Sequence, residues 1–433
     1  MFGLRANAKS VNVMARERIS MATRRLIGML MAVACVAALT FASRTAARPQ
    51  QTKPSSPGRA IAQVNDGESA ARTNFLGDAA CRECHQEIAR TYARTGHHLT
   101  SQLPSKDSML GKFTAGANIL RTSDPDLHFR MEARESGFYE TAIFWQPPDE
   151  KTRTERIDIV TGSGEKGQTY LYWKGNQLFQ LPVSYWTELK GWINSPGFTE
   201  GVANFDRPIP PTCLECHATY FESIASEQAE NYYKKTGFVL GVSCERCHGP
   251  GRQHAENERL KSAPASAGMH SIVNPSSLAR DRRIEVCAQC HGGIGQPIAP
   301  AFSYVPGQQL ANYIKLPRPD ADARVDVHGN QVALMQRSRC YQNSQLTCTT
   351  CHEVHESEHA AASYSIKCLQ CHKDQDCGEF VKLGAKIREN CVDCHMPVQD
   401  SNLIVADLKG KQVKARIRNH WIKVYATGQN PPQ

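Results

Sequence analysis

The amino-acid sequence predicts a mostly α-helical and irregular fold that contains one antiparallel β insert. Two observations predict it: a short motif, Cys-x-x-Cys-His, occurs seven times, and one long gap between copies alternates apolar and polar residues as half-buried strands do. Six copies crowd into residues 213–395, which leaves little room for long helices or an apolar core. Most of the 433-residue chain should therefore be organised around whatever its 17 cysteines bind.

The N-terminal segment, residues 1–47, is predicted to be a signal peptide or an N-terminal anchor. Residues 26–42 carry no charge, follow Arg24 and Arg25, and precede small residues, which is the order of a secretory signal. A membrane span takes about 20 residues, so cleavage is the first expectation and a retained anchor the second. Residues 48–76, rich in Pro, Ser, Gln and Ala, predict a flexible linker. We therefore expect a periplasmic or other extracytoplasmic location, with membrane contact only if the segment stays uncleaved.

Fourteen of the 17 cysteines lie in the repeated motif, whose copies we number 1 to 7 along the chain. Positions i, i+3 and i+4 share one face of a helical turn, so two thiols can bond to the two vinyl groups of a haem while the histidine ligates its iron. This spacing is the attachment motif of c-type haem. The two intervening residues differ between copies, as expected if only the geometry is used.

The motif therefore predicts seven covalently attached haem c groups, each holding one iron. The predicted attachment cysteines are Cys81, Cys84, Cys213, Cys216, Cys244, Cys247, Cys287, Cys290, Cys348, Cys351, Cys368, Cys371, Cys391 and Cys394. The predicted iron ligands of motifs 1 to 7 are His85, His217, His248, His291, His352, His372 and His395.

Other cysteine chemistries explain the pattern less well. Zinc also binds Cys-x-x-Cys pairs, but it does not require a histidine directly after every pair. A thioredoxin-like redox motif is expected once, in a βαβ context. A framework of disulfides would leave the seven adjoining histidines unexplained. Covalent haem is therefore the favoured interpretation.

Nine histidines remain after the seven motif histidines, which is close to the number needed for a second histidine ligand on every iron. Four have contexts that favour this role: His97, His254, His355 and His420. Four others are open between ligation and an ordinary surface or hydrogen-bonded role: His128, His270, His328 and His359. Of these, His128 lies on the polar face of a predicted strand, where simple solvation is a fair alternative.

The spacing of the motifs divides the rest of the chain. Residues 77–112 form a first haem segment, residues 113–205 a β-rich insert, and residues 206–400 a six-haem domain; residues 401–433 form a C-terminal tail that carries His420. Within the insert, strands are predicted at residues 127–134, 138–145 and 156–161, and a hairpin at residues 168–183. The aromatic residues of the insert are interpreted as the core of this sheet rather than the mouth of a substrate site.

Net charge argues against a nucleic-acid partner. Residues 1–47 hold seven of the 51 basic residues and one of the 42 acidic residues, so the remaining chain has 44 basic and 41 acidic side chains. A ferric haem adds about one negative charge and a ferrous haem about two. With seven haems, the net charge of the chain after residue 47 becomes roughly −4 when oxidised and −11 when reduced. The loaded protein should therefore be acidic.

Taken together with the insert, these motifs resemble the multihaem c-type cytochromes related to cytochrome c-554, including larger members with a β insert. The resemblance spans about residues 75–425. It rests on motif 1 followed by Gly96, His97 and His98, on residues 162–171 leading to 181–185, on residues 195–197 before motif 2, on residues 244–251 with His254, and on residues 391–397. It implies a periplasmic electron carrier with pairs of bis-histidine haems, and it supports His97, His254, His355 and His420 as second ligands. The chain differs from the small four-haem members in having seven motifs.

Two functions are weighed on this basis. The first is electron transfer, with other redox proteins or a membrane quinol-oxidising complex as partners. The alternative is a reductase or oxidase of a small nitrogen or sulfur compound, which would need one haem with an open coordination position. The sequence has no Cys-x-x-Cys-Lys motif and marks no haem as catalytic.

Two cysteines lie outside both the motifs and the N-terminal segment. Cys340 and Cys377 belong to the haem-dense half of a chain expected to be exported, so a disulfide between them is a reasonable expectation. Two unpaired thiols are the alternative.

Overall fold

The computed structural model describes residues 74–226, 229–260, 272–318, 324–357 and 360–425. The predicted signal and almost all of the predicted linker lie outside these residues. Within them, no helix is both long enough and apolar enough to cross a membrane. The described part combines short helices with several antiparallel sheets. The predicted β insert is present, but further sheets occur in parts that the sequence predicts to be helical or irregular.

Two antiparallel sheets occupy the region between motifs 1 and 2. One has the strand order β1-β6-β7-β8-β10 with β9 also paired to β8, and the other has the order β2-β3-β4-β5. Their strands are β1 (Ser101–Gln102), β2 (Ile119–Arg121), β3 (Leu127–Arg134), β4 (Gly137–Gln146), β5 (Asp149–Ile157), β6 (Ile159–Thr161), β7 (Gly167–Lys174), β8 (Gln177–Trp186), β9 (Gly191–Asn194) and β10 (Arg207–Pro208).

The sheets form because their apolar side chains alternate. In β3, Leu127, Phe129 and Met131 are buried while the intervening residues are at least partly exposed. The facing surfaces pack into one core, and three of its aromatic members are Tyr170, Tyr172 and Trp192. Full burial of one large apolar side chain is worth about 1.5–3 kcal/mol, so this region supplies its own stability. The interpretation of these aromatic residues as a sheet core is confirmed.

Most predicted strands of the insert are confirmed, with one correction. The predicted strand at residues 156–161 is divided, because Ile157 ends β5 in one sheet and Ile159 begins β6 in the other. β5 itself was not predicted, since its residues are almost all polar and it lies at the exposed edge of its sheet. The sheets also reach beyond residues 113–205, to β1 on one side and β10 on the other.

Two further hairpins were not predicted. β11 (Ala218–Ser223) pairs with β12 (Tyr233–Leu240), directly after motif 2. β15 (Val398–Leu408) pairs with β16 (Lys411–Arg418) in the region predicted to be a tail. Ala406 and Ala415 of this second hairpin pack against Trp186 and Ile193 of the insert. The C-terminal segment is therefore fixed against the β sheets.

The helices are short, and every motif except motif 5 contributes to one. They are α1 (Asp78–Arg82), α2 (Gln86–Tyr92), α3 (Pro211–His217), α4 (Cys244–His248), α5 (Arg252–Leu260), α6 (Arg280–His291), α7 (Gln331–Gln336), α8 (Arg339–Gln342), α9 (Ala361–Cys368), α10 (Phe380–Leu383) and α11 (Cys391–His395). Motif 5 begins a 3₁₀ turn, Cys348–Thr350, and a small strand pair, β13 (Gln296–Pro297) with β14 (Ile314–Lys315), follows motif 4. Helices of this length are marginal on their own, so their position depends on what they pack against.

Candidate functional site

One large cavity runs through the motif-rich part of the chain. Its volume is about 4110 Å³, and every motif cysteine and motif histidine lies on its wall. A pocket for a single drug-sized ligand holds about 300–1,000 Å³, so this space suits several large ligands. Because thiols and imidazoles from all seven motifs line it, the donor set fits covalently attached haem.

Each motif folds as its spacing predicts. The N–H of His85 donates to the carbonyl oxygen of Cys81 at 2.9 Å, which closes one helical turn across motif 1. Motifs 5 and 6 contain the equivalent hydrogen bond at 3.0 Å, from His352 and His372 to the first cysteine of each motif. This turn brings both thiols and the imidazole to one face.

Four imidazole pairs bridge the cavity, and each joins a motif histidine to a histidine from elsewhere in the chain. The ring centres are 6.4 Å apart for His85 and His254, 6.1 Å for His291 and His97, 6.1 Å for His248 and His355, and 6.2 Å for His352 and His420. The four partners are the four histidines that the sequence favours as second ligands. The structure brings each of them to a different motif.

The separation of these rings matches one intervening metal ion. A metal lies about 2.0 Å from an imidazole nitrogen, so two imidazoles on opposite sides of one ion have ring centres about 6.3 Å apart. All four measured separations lie within 0.2 Å of this estimate. Each pair could therefore hold one metal ion between its two imidazoles.

A fifth motif histidine has a neighbouring imidazole that sequence reasoning left open. His217 is partly buried, and burial lowers its pKa; the nearby imidazole of His328 lowers this pKa further. The carboxylate of Asp326 accepts a hydrogen bond from the backbone N–H of His328 at 2.9 Å, which fixes this turn. Nothing in the local sequence around His328 marks it, because its position depends on contacts with distant residues.

In the part of the chain that the structure describes, the other histidines outside the motifs are not seen to face a motif histidine. His98 is hydrogen-bonded through Nδ1 to Asp78 at 2.8 Å, so it is His97 of this adjacent pair that faces a motif. His128 lies half-buried on β3, as the strand pattern predicts. His270 and His359 lie outside the described residues. Within the described residues, none of the facing pairs includes His372 or His395.

Burial lowers the pKa of several histidines of these pairs. It lowers the pKa of His97 and of His420 to about 4 each, and the facing imidazole of each pair lowers it further. Burial also lowers the pKa of His248 and His291. A neutral imidazole has the free lone pair that metal ligation requires.

Hydrogen bonds orient several of the rings. Nδ1–H of His248 donates to the carbonyl oxygen of Val273 at 2.8 Å, and Nδ1–H of His395 donates to that of Lys423 at 2.9 Å. His420 is held in the same way by the carbonyl of Arg418, at 3.1 Å. A donating Nδ1 leaves Nε2 free for a metal, which is the usual arrangement of ligating histidines.

The motifs are neighbours in space in an order that differs from the sequence. The thiols of Cys81 and Cys244 are close neighbours, which places motif 1 against motif 3. In the same way Cys290 of motif 4 meets Cys216 of motif 2, while Cys287 of motif 4 meets Cys348 of motif 5. Motif 4 is therefore a junction between motifs 2 and 5.

The remaining motifs continue this series. Cys351 of motif 5 lies near Cys371 of motif 6. Cys368 of motif 6 lies near Cys391 of motif 7, whose backbone N–H donates to Ser365 Oγ in α9 at 2.8 Å. Attachment points thus follow one another through the whole motif-rich part.

The expected disulfide between Cys340 and Cys377 is wrong for this structure. Both are free thiols. Cys340 lies beside motif 5, near Cys351, whereas Cys377 lies beside motif 7, near Cys394. The two thiols therefore belong to different motif neighbourhoods.

Comparison with known proteins gives matches to haem proteins. The sequence profile of the cytochrome c552 family matches residues 197–293, which include motifs 2 to 4. The chain is 21% identical over 373 residues to dissimilatory sulfite reductase MccA of Wolinella succinogenes, covering 74% of this chain and 47% of MccA. It is 25% identical over 223 residues to multiheme cytochrome MtrA of Shewanella baltica, covering 48% of this chain and 51% of MtrA.

The chain thus spans about half the length of these two curated relatives. A shorter match, 27% identical over 97 residues, links 22% of the chain to 11% of the C-type polyheme cytochrome OmcC of Geobacter sulfurreducens. Among solved structures, the outer cell wall cytochrome OcwA matches with a TM-score of 0.49 and 18% identity, over 81% of this chain and 80% of OcwA. The chain therefore carries the repeated haem-attachment motif of multihaem c-type cytochromes and is similar in sequence to several of them.

Proposed function

We propose that this protein is an exported electron carrier that holds seven haem c groups, most or all of them with two histidine ligands. The observation that carries the proposal is the set of four imidazole pairs with ring centres 6.1–6.4 Å apart across the cavity. Two histidines on one iron leave no position for a substrate, so such haems exchange electrons rather than bind small molecules.

In this proposal, the fourteen motif cysteines attach the haems and the motif histidines provide one ligand each. The second ligands are His254 for motif 1, His355 for motif 3, His97 for motif 4 and His420 for motif 5. His328 provides the second ligand for motif 2, as its place beside His217 supports. The bound haem irons supply one-electron chemistry by cycling between the ferric and ferrous states.

The contacts between motifs support a continuous route for electrons. Neighbouring attachment cysteines connect the motifs in the order 1, 3, 4, 5, 6 and 7, with motif 2 as a branch at motif 4. The step from motif 3 to motif 4 is supported by the Gln289 side chain, which donates to the carbonyl of Arg246 at 3.2 Å. Motifs 1 and 7 are the two ends of this series.

The location and partners follow from the resemblance to the cytochrome c-554 group and from the N-terminal segment. The signal over residues 1–47 would export the chain to the periplasm, with an uncleaved anchor as the alternative. The linker would be residues 48–76, the first haem segment 77–112, the β insert 113–205, the six-haem domain 206–400 and the tail 401–433. The partners would be other redox proteins or a membrane quinol-oxidising complex.

Intact-mass measurement and a redox titration of the purified holoprotein test this function. We expect the mass of the mature chain to be increased by seven haems. In the titration, we expect the haems to be reduced over a broad range of potentials, without consumption of a small-molecule substrate. A mass increase of fewer than seven haems contradicts the motif assignment. A single narrow redox transition contradicts a multi-haem carrier.

One specific observation favours a second candidate, a reductase of a small sulfur or nitrogen compound. Within the described residues, neither His372 nor His395 faces a second histidine, and one curated relative is a sulfite reductase. A haem at motif 6 or 7 with an open position would bind such a compound. Rapid binding of sulfite, nitrite or cyanide to the oxidised protein would support this candidate, and no spectral change would contradict it.

A further inference from the structure

The residues between the two cysteines of a motif are not all interchangeable spacers. In motif 1 the second of them, Glu83, is exposed. In motif 2 the equivalent residue, Glu215, is buried, and in motif 3 both Glu245 and Arg246 are buried. The expectation that only the geometry of the motif is used therefore fails in motifs 2 and 3.

Arg246 connects three motifs. Its side chain is 3% exposed, and one terminal nitrogen donates to the carbonyl oxygen of Glu215 in motif 2 at 3.0 Å. The same nitrogen lies 3.9 Å from the Glu215 carboxylate. The carbonyl of Arg246 accepts from Gln289 of motif 4. Its Nε is buried without a hydrogen-bond partner in the described structure.

Glu215 is fixed from the other side. Its Oε1 accepts a hydrogen bond from the backbone N–H of Phe302 at 2.8 Å. The ring of Phe302 lies 5.6 Å from the guanidinium of Arg246, so it also covers the pair. A carboxylate and a guanidinium are thereby held in the wall between the attachment points of motifs 2, 3 and 4.

We propose that Glu215 and Arg246 are positioning residues that set the reduction potentials of the haems at motifs 2, 3 and 4 through their buried, opposite charges. This inference rests on the proposed electron-carrier function. Reduction adds one negative charge to a haem, so a nearby fixed cation favours the ferrous state and a nearby anion opposes it. Such interactions are strong here because the pair is buried.

The two single substitutions should act with opposite sign. Glu215→Gln removes the negative charge and keeps a carbonyl oxygen for the Phe302 N–H, so the potential of the adjacent haems rises. Arg246→Gln leaves the Glu215 carboxylate uncompensated, so the same potentials fall. The double variant restores the net charge and returns the potentials towards those of the wild type. A role in packing alone would give no such reversal.

Glu83→Gln is the matched control. It is the same substitution at the same position of a motif, but on a side chain that is 59% exposed and paired at 2.6 Å with Arg259, which is also exposed. Water screens this charge, so its removal should change the haem potentials far less.

The experiment is a spectroelectrochemical titration of the four holoprotein variants and the wild type, with haem content measured by intact mass. At a fixed potential, we expect Glu215→Gln to raise the ferrous-to-ferric ratio of at least one haem about tenfold, which is about 59 mV for a one-electron couple. Arg246→Gln should lower that ratio by a similar factor, and Glu83→Gln should change it less than twofold.

Shifts of the same sign in the two single variants, or an effect of Glu215→Gln no larger than that of Glu83→Gln, overturn the inference. If Arg246→Gln fails to load haem, the comparison of Glu215→Gln with Glu83→Gln decides alone. A wild-type protein with fewer than seven haems would instead contradict the proposed function, since that measurement does not depend on the variants.

Discussion

The β sheets and the motif-rich part of this molecule are built in different ways. The sheets between motifs 1 and 2 enclose a core of apolar and aromatic side chains, several of them fully buried. The motif-rich part instead surrounds a cavity of about 4110 Å³ lined by thiols and imidazoles. In the first region, apolar side chains form the core. In the second region, the groups that the cysteines attach would fill the space where a core would otherwise lie.

This difference predicts that the two regions depend on haem to different degrees. Short helices with few buried apolar residues are marginal without a partner, while a sandwich of sheets with a continuous core is not. The four expectations below test that contrast, beginning with the largest effect.

Loss of all haem should unfold one region and spare the other. We expect a variant with alanine at all fourteen motif cysteines to lose amide protection in α6, α9 and α11 but to keep it in β3, β4, β7 and β8. Hydrogen–deuterium exchange with mass spectrometry measures both regions in one sample. Alanine at Cys340 and Cys377 alone is the control and should leave both regions protected, since both thiols lie outside the motifs. Equal loss of protection in sheets and helices would contradict the contrast.

A cavity in the sheet core should destabilise the β region and leave the haem sites unchanged. Leu181 is fully buried in this core, so Leu181→Ala should lower the free energy of unfolding of the β region by about 2–5 kcal/mol. Chemical denaturation followed by far-ultraviolet circular dichroism measures the loss, and the haem spectrum should not change before unfolding. Leu103, which is 60% exposed, provides the control. A similar loss for Leu103→Ala would show that burial is not the cause.

The sheet core also contains a buried acid, Glu140, which accepts a hydrogen bond from the Val183 N–H at 3.1 Å. Burial raises the pKa of Glu140 well above its usual value. The folded chain therefore holds this proton more tightly than the unfolded chain, whose glutamate has a pKa of about 4.3. Its contribution to stability is complete below that pH and is lost as pH rises, by up to about 1.4 kcal/mol per pH unit.

Glu140→Gln should remove this dependence, because the amide keeps the hydrogen-bond acceptor without a titrating proton. Denaturation of the wild type and the variant at pH 5 and at pH 7 measures it. We expect the stability of the variant relative to the wild type to increase between the two pH values. An unchanged difference would show that Glu140 stays ionised in the fold.

The smallest expected effect is a change of spin state at one haem among seven. His328→Ala should convert the haem of motif 2 from low-spin to high-spin, because it removes the imidazole beside His217. Optical and electron paramagnetic resonance spectra of the oxidised protein measure this conversion. His128→Ala, on the half-buried face of β3, should leave every haem low-spin. A change in the His128 variant, or none in the His328 variant, would contradict the ligand assignment.

The sequence predicts the chemistry of the site more completely than its three-dimensional arrangement. The seven motifs could be recognised by their fixed local spacing, and His97, His254 and His355 by their short distance to a motif. Which motif each histidine faces could not, since His97 meets His291 and His420 meets His352 only through tertiary packing.

The missed elements share this dependence on distant contacts. His328 is held by Asp326, whose carboxylate also accepts hydrogen bonds from Ser401 and Asn402 of β15. The C-terminal hairpin itself had only a short local signal, the apolar run of residues 403–406 within β15. Its role in placing His420 depends on packing against the β insert, which the sequence does not state.

The spin state of the irons tests the central claim most directly. Quantitative electron paramagnetic resonance of the oxidised holoprotein counts low-spin and high-spin haem. The five histidine pairs predict low-spin signals for at least five of the seven haems. A high-spin signal from three or more haems would contradict the assignment of these histidines as ligands.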